Sequence, residues 1–322
     1  GLPYLSVYPE FYNLDHAGLN WLSFVRWDDE KRLISTSITA PLEANPSLRY
    51  RLYFEGRNEN WDLSRTLSPS FPSPRAMNME KAAAGAEIRF IESGNWQWNA
   101  GVEFSYRKFR NLIGISAGAT PFFTSGSSIA LRSGVNRVLV RFPERRFTLD
   151  SSVGGEFGAF FKNPLGRYGR LQASIKADWL PKARGDDYQI QAQLRAGRTF
   201  GEVSFDQLSI LGFDRDNGLW LRGHPGLRGG EKGNAPLGRN YVLANWEMDK
   251  IIYQGGFLSF KMGPFLDTGK SYDPSGFFGS PKWLTDSGVQ SKILVLGSFE
   301  LILGYGKDLR SGNNSFFTTV SR

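Results

Sequence analysis

The chain has 322 residues, no Cys, 14% aromatic residues, 37 Gly and a formal net charge of +8. Without Cys it has neither a disulfide framework nor a thiolate metal site, and at 40% hydrophobic it is not too polar to fold. Lys and Arg are interleaved with Asp and Glu rather than gathered in a stripe, which argues against a nucleic-acid partner. Charged or Gln residues interrupt every apolar run well short of the roughly 18–20 residues that a membrane-crossing helix needs.

Gly1 is not followed by a basic and then an apolar stretch, so the chain is expected to be a mature protein or a piece of a longer precursor. Residues 1–17 read as an N-terminal segment leading into a barrel that occupies 18–322. From there the dominant signal is alternation with period two, sustained over segments longer than the roughly 5–6 residues of an ordinary globular strand. Leu48, Tyr50, Leu52 and Phe54 share one face, as do Trp96, Trp98, Ala100, Val102, Phe104 and Tyr106. Over 170–179 every odd position is apolar and every even one polar, and Tyr188, Ile190, Ala192, Leu194 and Ala196 alternate with Gln189, Gln191, Gln193 and Arg195. Phe299, Leu301, Leu303 and Tyr305 repeat the pattern near the end.

Strands are expected at about 18–27, 31–40, 47–57, 82–92, 96–108, 112–121, 126–140, 146–161, 167–180, 187–199 and 204–212, eleven in all. After the Gly-rich stretch 213–240 come 241–250, 255–268, 286–296, 298–307 and 314–321, giving about sixteen. Strands of roughly 9–11 residues, apolar on one face and polar on the other, suit a tilted bilayer crossing with lipid outside and water inside. Closure follows from the same physics, because hydrocarbon leaves no partner for an unpaired N–H or C=O. The expected fold is therefore all-β, a transmembrane antiparallel β-barrel with a long loop folded into its lumen after the eleventh strand. A soluble sandwich would also alternate, but it would need a second layer over its apolar face, and no segment of helical period supplies one. Trp96, Tyr106, Trp179 and Tyr188 near strand ends suit interfacial girdles.

The region that carries identity begins at Leu208-Ser209-Ile210-Leu211-Gly212, continues through Leu219-Trp220-Leu221-Arg222-Gly223-His224-Pro225, and reaches Asn245-Trp246-Glu247-Met248-Asp249 after the Gly-rich tract. Phe265-Leu266-Asp267-Thr268-Gly269 lies in the following strand. This order resembles the superfamily of the outer-membrane barrel assembly factor, the two-partner secretion transporters and the patatin-linked barrels. The resemblance is specific over about 208–322, including a last hairpin built from Asp286-Ser287-Gly288-Val289 and Phe299 to Gly306, and rests elsewhere on strand count. It implies a loop motif Val/Leu-Arg-Gly-aromatic folded back into the lumen, with His224 here in the aromatic's place. It further implies a lumenal-loop lock made of Arg222, Gly223 and His224 with Asp267, Gly269 and Glu247. Local register agrees, since an outward face of Leu258, Phe260, Met262, Pro264 and Leu266 turns Asp267 inward, where a guanidinium can pair with it bidentately. The chain ends Thr318-Thr319-Val320-Ser321-Arg322, without the family's terminal aromatic, and the family's periplasmic domains have no counterpart, because alternation begins by about Leu19.

Other motifs carry less. Gly263 to Ser271 places five residues rather than four between its glycines, and turn chemistry rather than a helix follows, which argues against a phosphate loop. His16 and His224 have no metal-ligand spacing, and no Gly-x-Ser-x-Gly elbow supports a hydrolase triad. Asp28-Asp29-Glu30-Lys31 and Gly185-Asp186-Asp187 read as hydrophilic turns. The expected activity is translocation or insertion of client polypeptides in an outer membrane, without catalysis, cofactor or metal. Expected partners are membrane lipid, client chains, and periplasmic domains or partner subunits. A non-transporting anchor for an enzyme domain or partner subunits, and a passive porin, are the competing expectations.

Overall fold

The computed structural model describes residues 5–15, 18–66, 76–92, 95–112, 114, 117–161, 166–181, 188–280 and 282–321. Among these, fourteen long strands run as an antiparallel meander. They are β1 (Asn20–Trp27), β2 (Lys31–Leu42), β3 (Asn45–Trp61), β4 (Met77–Glu92), β5 (Trp96–Arg110), β6 (Gly126–Phe142) and β7 (Phe147–Phe160). The second half holds β8 (Arg167–Trp179), β9 (Tyr188–Gly201), β10 (Asn240–Gln254), β11 (Leu258–Tyr272), β12 (Leu284–Val295), β13 (Phe299–Asp308) and β14 (Asn314–Ser321). Each pairs with the next, and β9 pairs directly with β10, from Tyr188↔Lys250 to Arg198↔Asn240, across the long segment that separates them in sequence.

The alternation predicted from sequence is present, and exposure runs opposite to that of a water-soluble sheet. Leu131 and Val153 are 64% and 58% exposed, whereas Arg107 and Asp267 are 1% and 0% exposed. A sheet that shows its apolar residues outward and covers its charges must meet lipid on one side and enclose a polar interior on the other. That interior is cross-linked in its own right. Glu103 accepts from Tyr53 at 2.8 Å and from Arg132 at 2.7 Å, and Glu156 accepts from Arg132 at 3.0 Å, Arg170 at 2.7 Å and Tyr168 at 2.7 Å. No helix among the described residues is long and apolar enough to cross a membrane.

Two expected strands are absent. Within 112–121, Ala117–Phe123 forms a 3-10 helix containing Pro121, which cannot donate to a ladder. Within 204–212, a capping box at Ser204 starts the short 3-10 turn Phe205–Gln207, and only Ser209–Ile210 is extended, paired with Leu237–Gly238. Among the described residues the long strands therefore number fourteen, and the lumenal loop follows β9, which is the eleventh strand of the sheet once the two short N-terminal strands are counted. Further short strands bring the main sheet to eighteen. Several strands outrun the bilayer estimate: β3 and β6 each hold 17 residues.

The N-terminal segment does more than lead into the barrel. Leu5–Val7 and Glu10–Phe11 pair antiparallel with the outer edge of β1, at Leu5↔Trp27 and Glu10↔Leu22, and Phe11 stacks on Trp21 at 5.3 Å. β14 pairs with β13 alone among the described residues, so no ladder joins the first long strand to the last. His16 and the cluster Gly185-Asp186-Asp187 lie outside the described residues.

Candidate functional site

The segment between β9 and β10 turns inward, and its apolar residues pack against the inner wall. Leu211 and Leu221 pack with Leu243 and Leu284 of the wall, and Phe213 packs with Phe265, Ile302 and Phe317. Nearer the rim, Phe205, Leu208 and Leu237 join Trp61, Met77, Met79 and Phe109, with Phe122, Phe123 and Phe278 from two other connections, in one apolar cap. The loop thus has its own core inside an otherwise polar lumen, and contacts strands on both sides of it.

One tether is centred on Arg222. Its Nε and its own backbone N–H donate to Asp267 Oδ2 at 2.9 and 3.0 Å, and Nη2 donates to Oδ1 at 2.7 Å. Nη1 reaches Glu247 at 2.8 Å and Gln290 at 2.7 Å, and the guanidinium lies 4.0 Å from the centroid of the Phe265 ring. Asn245 donates to Asp267 Oδ1 at 2.7 Å, and Lys292 pairs with both Glu247 and Asp249. Four wall residues on three consecutive strands therefore orient one loop cation, and each charge has a partner, as burial in a low dielectric demands.

His224 occupies a second anchor. Its Nδ1 lies 3.0 Å from both oxygens of Asp286, and its Nε2 lies 3.5 Å from Asp308. Burial would lower the imidazole pKa, but the hydrogen bond and charge of Asp286, helped by Asp308, raise it instead. The three side chains gather their ligand atoms within 4.8 Å. The two ring nitrogens thus face different carboxylates, an arrangement that favours the protonated imidazole. Gly223 makes this approach sterically feasible: its N–H donates to Asp286 at 2.7 Å, and a Cβ there would lie 2.6 Å from the Asp286 carboxyl carbon. Gly269 likewise leaves space on the wall, where a Cβ would meet Leu243 at 3.1 Å and the loop's Leu211 at 3.5 Å.

Strands β1 to β3 hold a third group. Lys31 donates to Asp214 at 3.0 Å and Asp216 at 3.3 Å, Arg26 pairs with Asp216, and Lys232 pairs with Glu59 at 2.7 Å. Lys232 is also paired in the sheet with Trp61 of β3. The run 28–31, read from sequence as a hydrophilic turn, thus ends in a buried lysine that grips the loop. Between the loop and the wall remains a polar cavity of about 700 Å³, bordered by Arg57, Arg132, Arg170 and Arg195.

No family model matches the chain, and no curated protein matches it. Solved structures do. BamA from Haemophilus ducreyi lacking POTRA domains 1-3 superposes with a TM-score of 0.72 at 12% identity, over 99% of this chain and 66% of that one. CdiB from Escherichia coli gives 0.66 at 12% identity over 98% and 58%, and CdiB from Acinetobacter baumannii gives 0.63 at 15% identity over 98% and 55%. The chain has the fold of the BamA and CdiB barrels. It spans between about half and two thirds of the length of these neighbours.

Within this BamA- and CdiB-like fold, all six residues expected at the loop site lie in one region of the lumen. Arg222, Asp267 and Glu247 touch directly, Gly223 and His224 meet Asp286, and Gly269 spaces the wall beside them. Sequence reasoning missed Asn245, Gln290, Lys292, Asp286 and Asp308, although their inward parity was readable from alternation. It also missed the whole Arg26, Lys31, Glu59, Asp214, Asp216 and Lys232 group, for which residue order offers no pairing signal.

Proposed function

We propose that this chain is the barrel of an outer-membrane protein that translocates or inserts client polypeptides, with the inward loop as a tethered plug. The reading rests on one observation above the others: a loop with its own apolar core is pinned to strands on both sides of a polar lumen by buried charges. A passive pore gains nothing from such a filling, whereas a polypeptide-handling barrel must stay closed to ions until a client engages. The neighbours named BamA and CdiB give the same direction at the level of fold. In this reading Arg222 and Asp267 form the principal lock, with His224 and Asp286 beside them, and no residue acts as a catalyst.

The test is reconstitution of the purified protein in planar bilayers and in proteoliposomes. Low, intermittent conductance at rest, together with uptake or membrane insertion of an unfolded barrel or secreted chain, supports the proposal. Large steady conductance without a client would overturn it in favour of a porin. A closed barrel that retains a fixed set of subunits and handles no client would make it an anchor.

A further inference from the structure

The outer face of β8 to β11 departs from a uniform apolar band. Two rows of outward residues cross these strands in register: Ala173↔Ala196↔Val242↔Lys270, and one step nearer the long connections, Leu171↔Arg198↔Asn240↔Tyr272. Ala173 and Ala196 are too short to fill their row, and they form the floor of a depression of about 560 Å³ walled by Leu171, Val242, Tyr272 and Trp283. A second, equally apolar depression of about 430 Å³ follows along the strands over Ala177, Ala192 and Ala244.

Two cations stand on this surface. Arg198 is exposed and Lys270 half-buried, and among the described residues neither has an ion-pair or hydrogen-bond partner. Toward hydrocarbon a charged side chain is costly, so its position marks the headgroup level. Tyr272 and Trp283, both exposed at the same rim, are the residue types that prefer that level. From strand spacing and rise, the two cations are roughly 12 Å apart at the backbone, a gap that two long side chains can close on one phosphate. Between them the Asn240 side-chain oxygen is buried without a hydrogen-bond partner.

We propose that this face binds an anionic, phosphate-bearing lipid of the surrounding membrane, its phosphate held by Arg198 and Lys270 and one acyl chain laid over Ala173 and Ala196. The inference rests on the apolar face being lipid-facing. Charge complementarity selects the occupant: a helix of a partner protein would leave both cations opposite hydrocarbon, whereas a phosphate neutralises them. Arg198 and Lys270 lie at the rim from which the long connections emerge, which in such barrels faces away from the periplasm, so the site belongs to the leaflet on that side.

The test is native mass spectrometry of the detergent-solubilised chain titrated with phosphatidylglycerol and, separately, with phosphatidylcholine. Preferential retention of one phosphatidylglycerol, lost at least tenfold in the double variant Arg198→Gln, Lys270→Gln and also in Ala196→Leu, is expected. Both cations are unpaired and exposed or half-buried, so the double variant should fold, with heat-modifiable gel mobility as the check. Equal retention of the two lipids, or unchanged retention by both variants, would overturn the site while leaving the membrane barrel intact. A native chain that stays monodisperse after detergent removal and retains no lipid would instead overturn the lipid-facing reading itself.

Discussion

The carboxylate of Asp267 receives both the side chain and the backbone of the same residue, Arg222, through three hydrogen bonds of 2.7–3.0 Å. The side-chain fork fixes the cation, and the main-chain bond fixes the path of the loop through that point. A substitution that keeps the charge but not the fork therefore removes only part of the tether. Arg222→Lys should expose the loop to protease moderately, while Arg222→Ala should expose it strongly, since breaking one half of a buried pair costs about 3–5 kcal/mol. Limited proteolysis within 213–240, read by mass spectrometry, gives the order native, Lys, Ala; equal rates for all three would remove Arg222 from the loop's anchorage.

Glycine at 223 and 306 is required by close approach. A Cβ at Gly223 would lie 2.6 Å from the Asp286 carboxyl carbon, and one at Gly306 would lie 2.7 Å from the Arg222 carbonyl oxygen. Neither neighbour can retreat, the first being buried and hydrogen-bonded, the second main chain. Gly223→Ala and Gly306→Ala should each destabilise the barrel by about 1–3 kcal/mol, the usual cost of overpacking, measured as a lower midpoint of thermal unfolding on gels. Gly256→Ala, with nothing within 4 Å, serves as the neutral comparison.

How far this site was legible depends on which physical signal each part leaves in the sequence. Alternation marked the faces of β9 and β11, and so placed Arg195 and Asp267 indoors, because a strand has no other way to divide its side chains. It misassigned 204–212, where Leu208, Ile210 and Leu211 alternate or cluster as in a barrel strand, yet pack against Trp61, Phe205 and Tyr241 inside the barrel. Periodicity tells which residues share a face and is silent about what covers it. Partners such as Asp308 for His224 and Lys31 for Asp214 depend on the path of a Gly-rich loop, and that path is set by steric room at positions like Gly223 and not by any local pattern.

The His224 anchor should be sensitive to pH. Its folded pKa is raised above the ordinary imidazole value by Asp286 and Asp308, against the opposing effects of burial and Arg310. A group raised in this way gives its full stabilisation below the unfolded value of about 6.5 and loses it as pH rises through the folded one. The loop should therefore be better protected from protease at about pH 6 than at about pH 9, and more intermittent current should appear in bilayers at the higher pH. In His224→Phe, which installs the aromatic implied by the resemblance, the difference should vanish. A dependence that survives in this variant would place the titrating group elsewhere.

The two walls should contribute independently. Arg222 is bound by β10, β11 and β12, whereas Asp216 and Lys232 are bound by Arg26, Lys31 and Glu59 of β1 to β3, and the two groups share no partner. Separate sites without common partners usually add within a few tenths of a kcal/mol, so Asp216→Asn and Arg222→Ala should each accelerate loop cleavage and multiply their factors when combined. The first tether alone fixes one side of the loop and leaves the other able to swing, so either single variant should give partial opening, seen as brief conductance bursts, and the double variant should give a sustained open pore. The outcome separates two kinds of plug. If Asp216→Asn alone opened the pore fully, Arg222 could not be the principal lock, and the contacts to β1 would carry the closure. Multiplicative effects with a sustained pore only in the double variant would mean that release requires both walls to let go, so that a client acting on the β1 side must still displace Arg222 from Asp267 before the lumen clears.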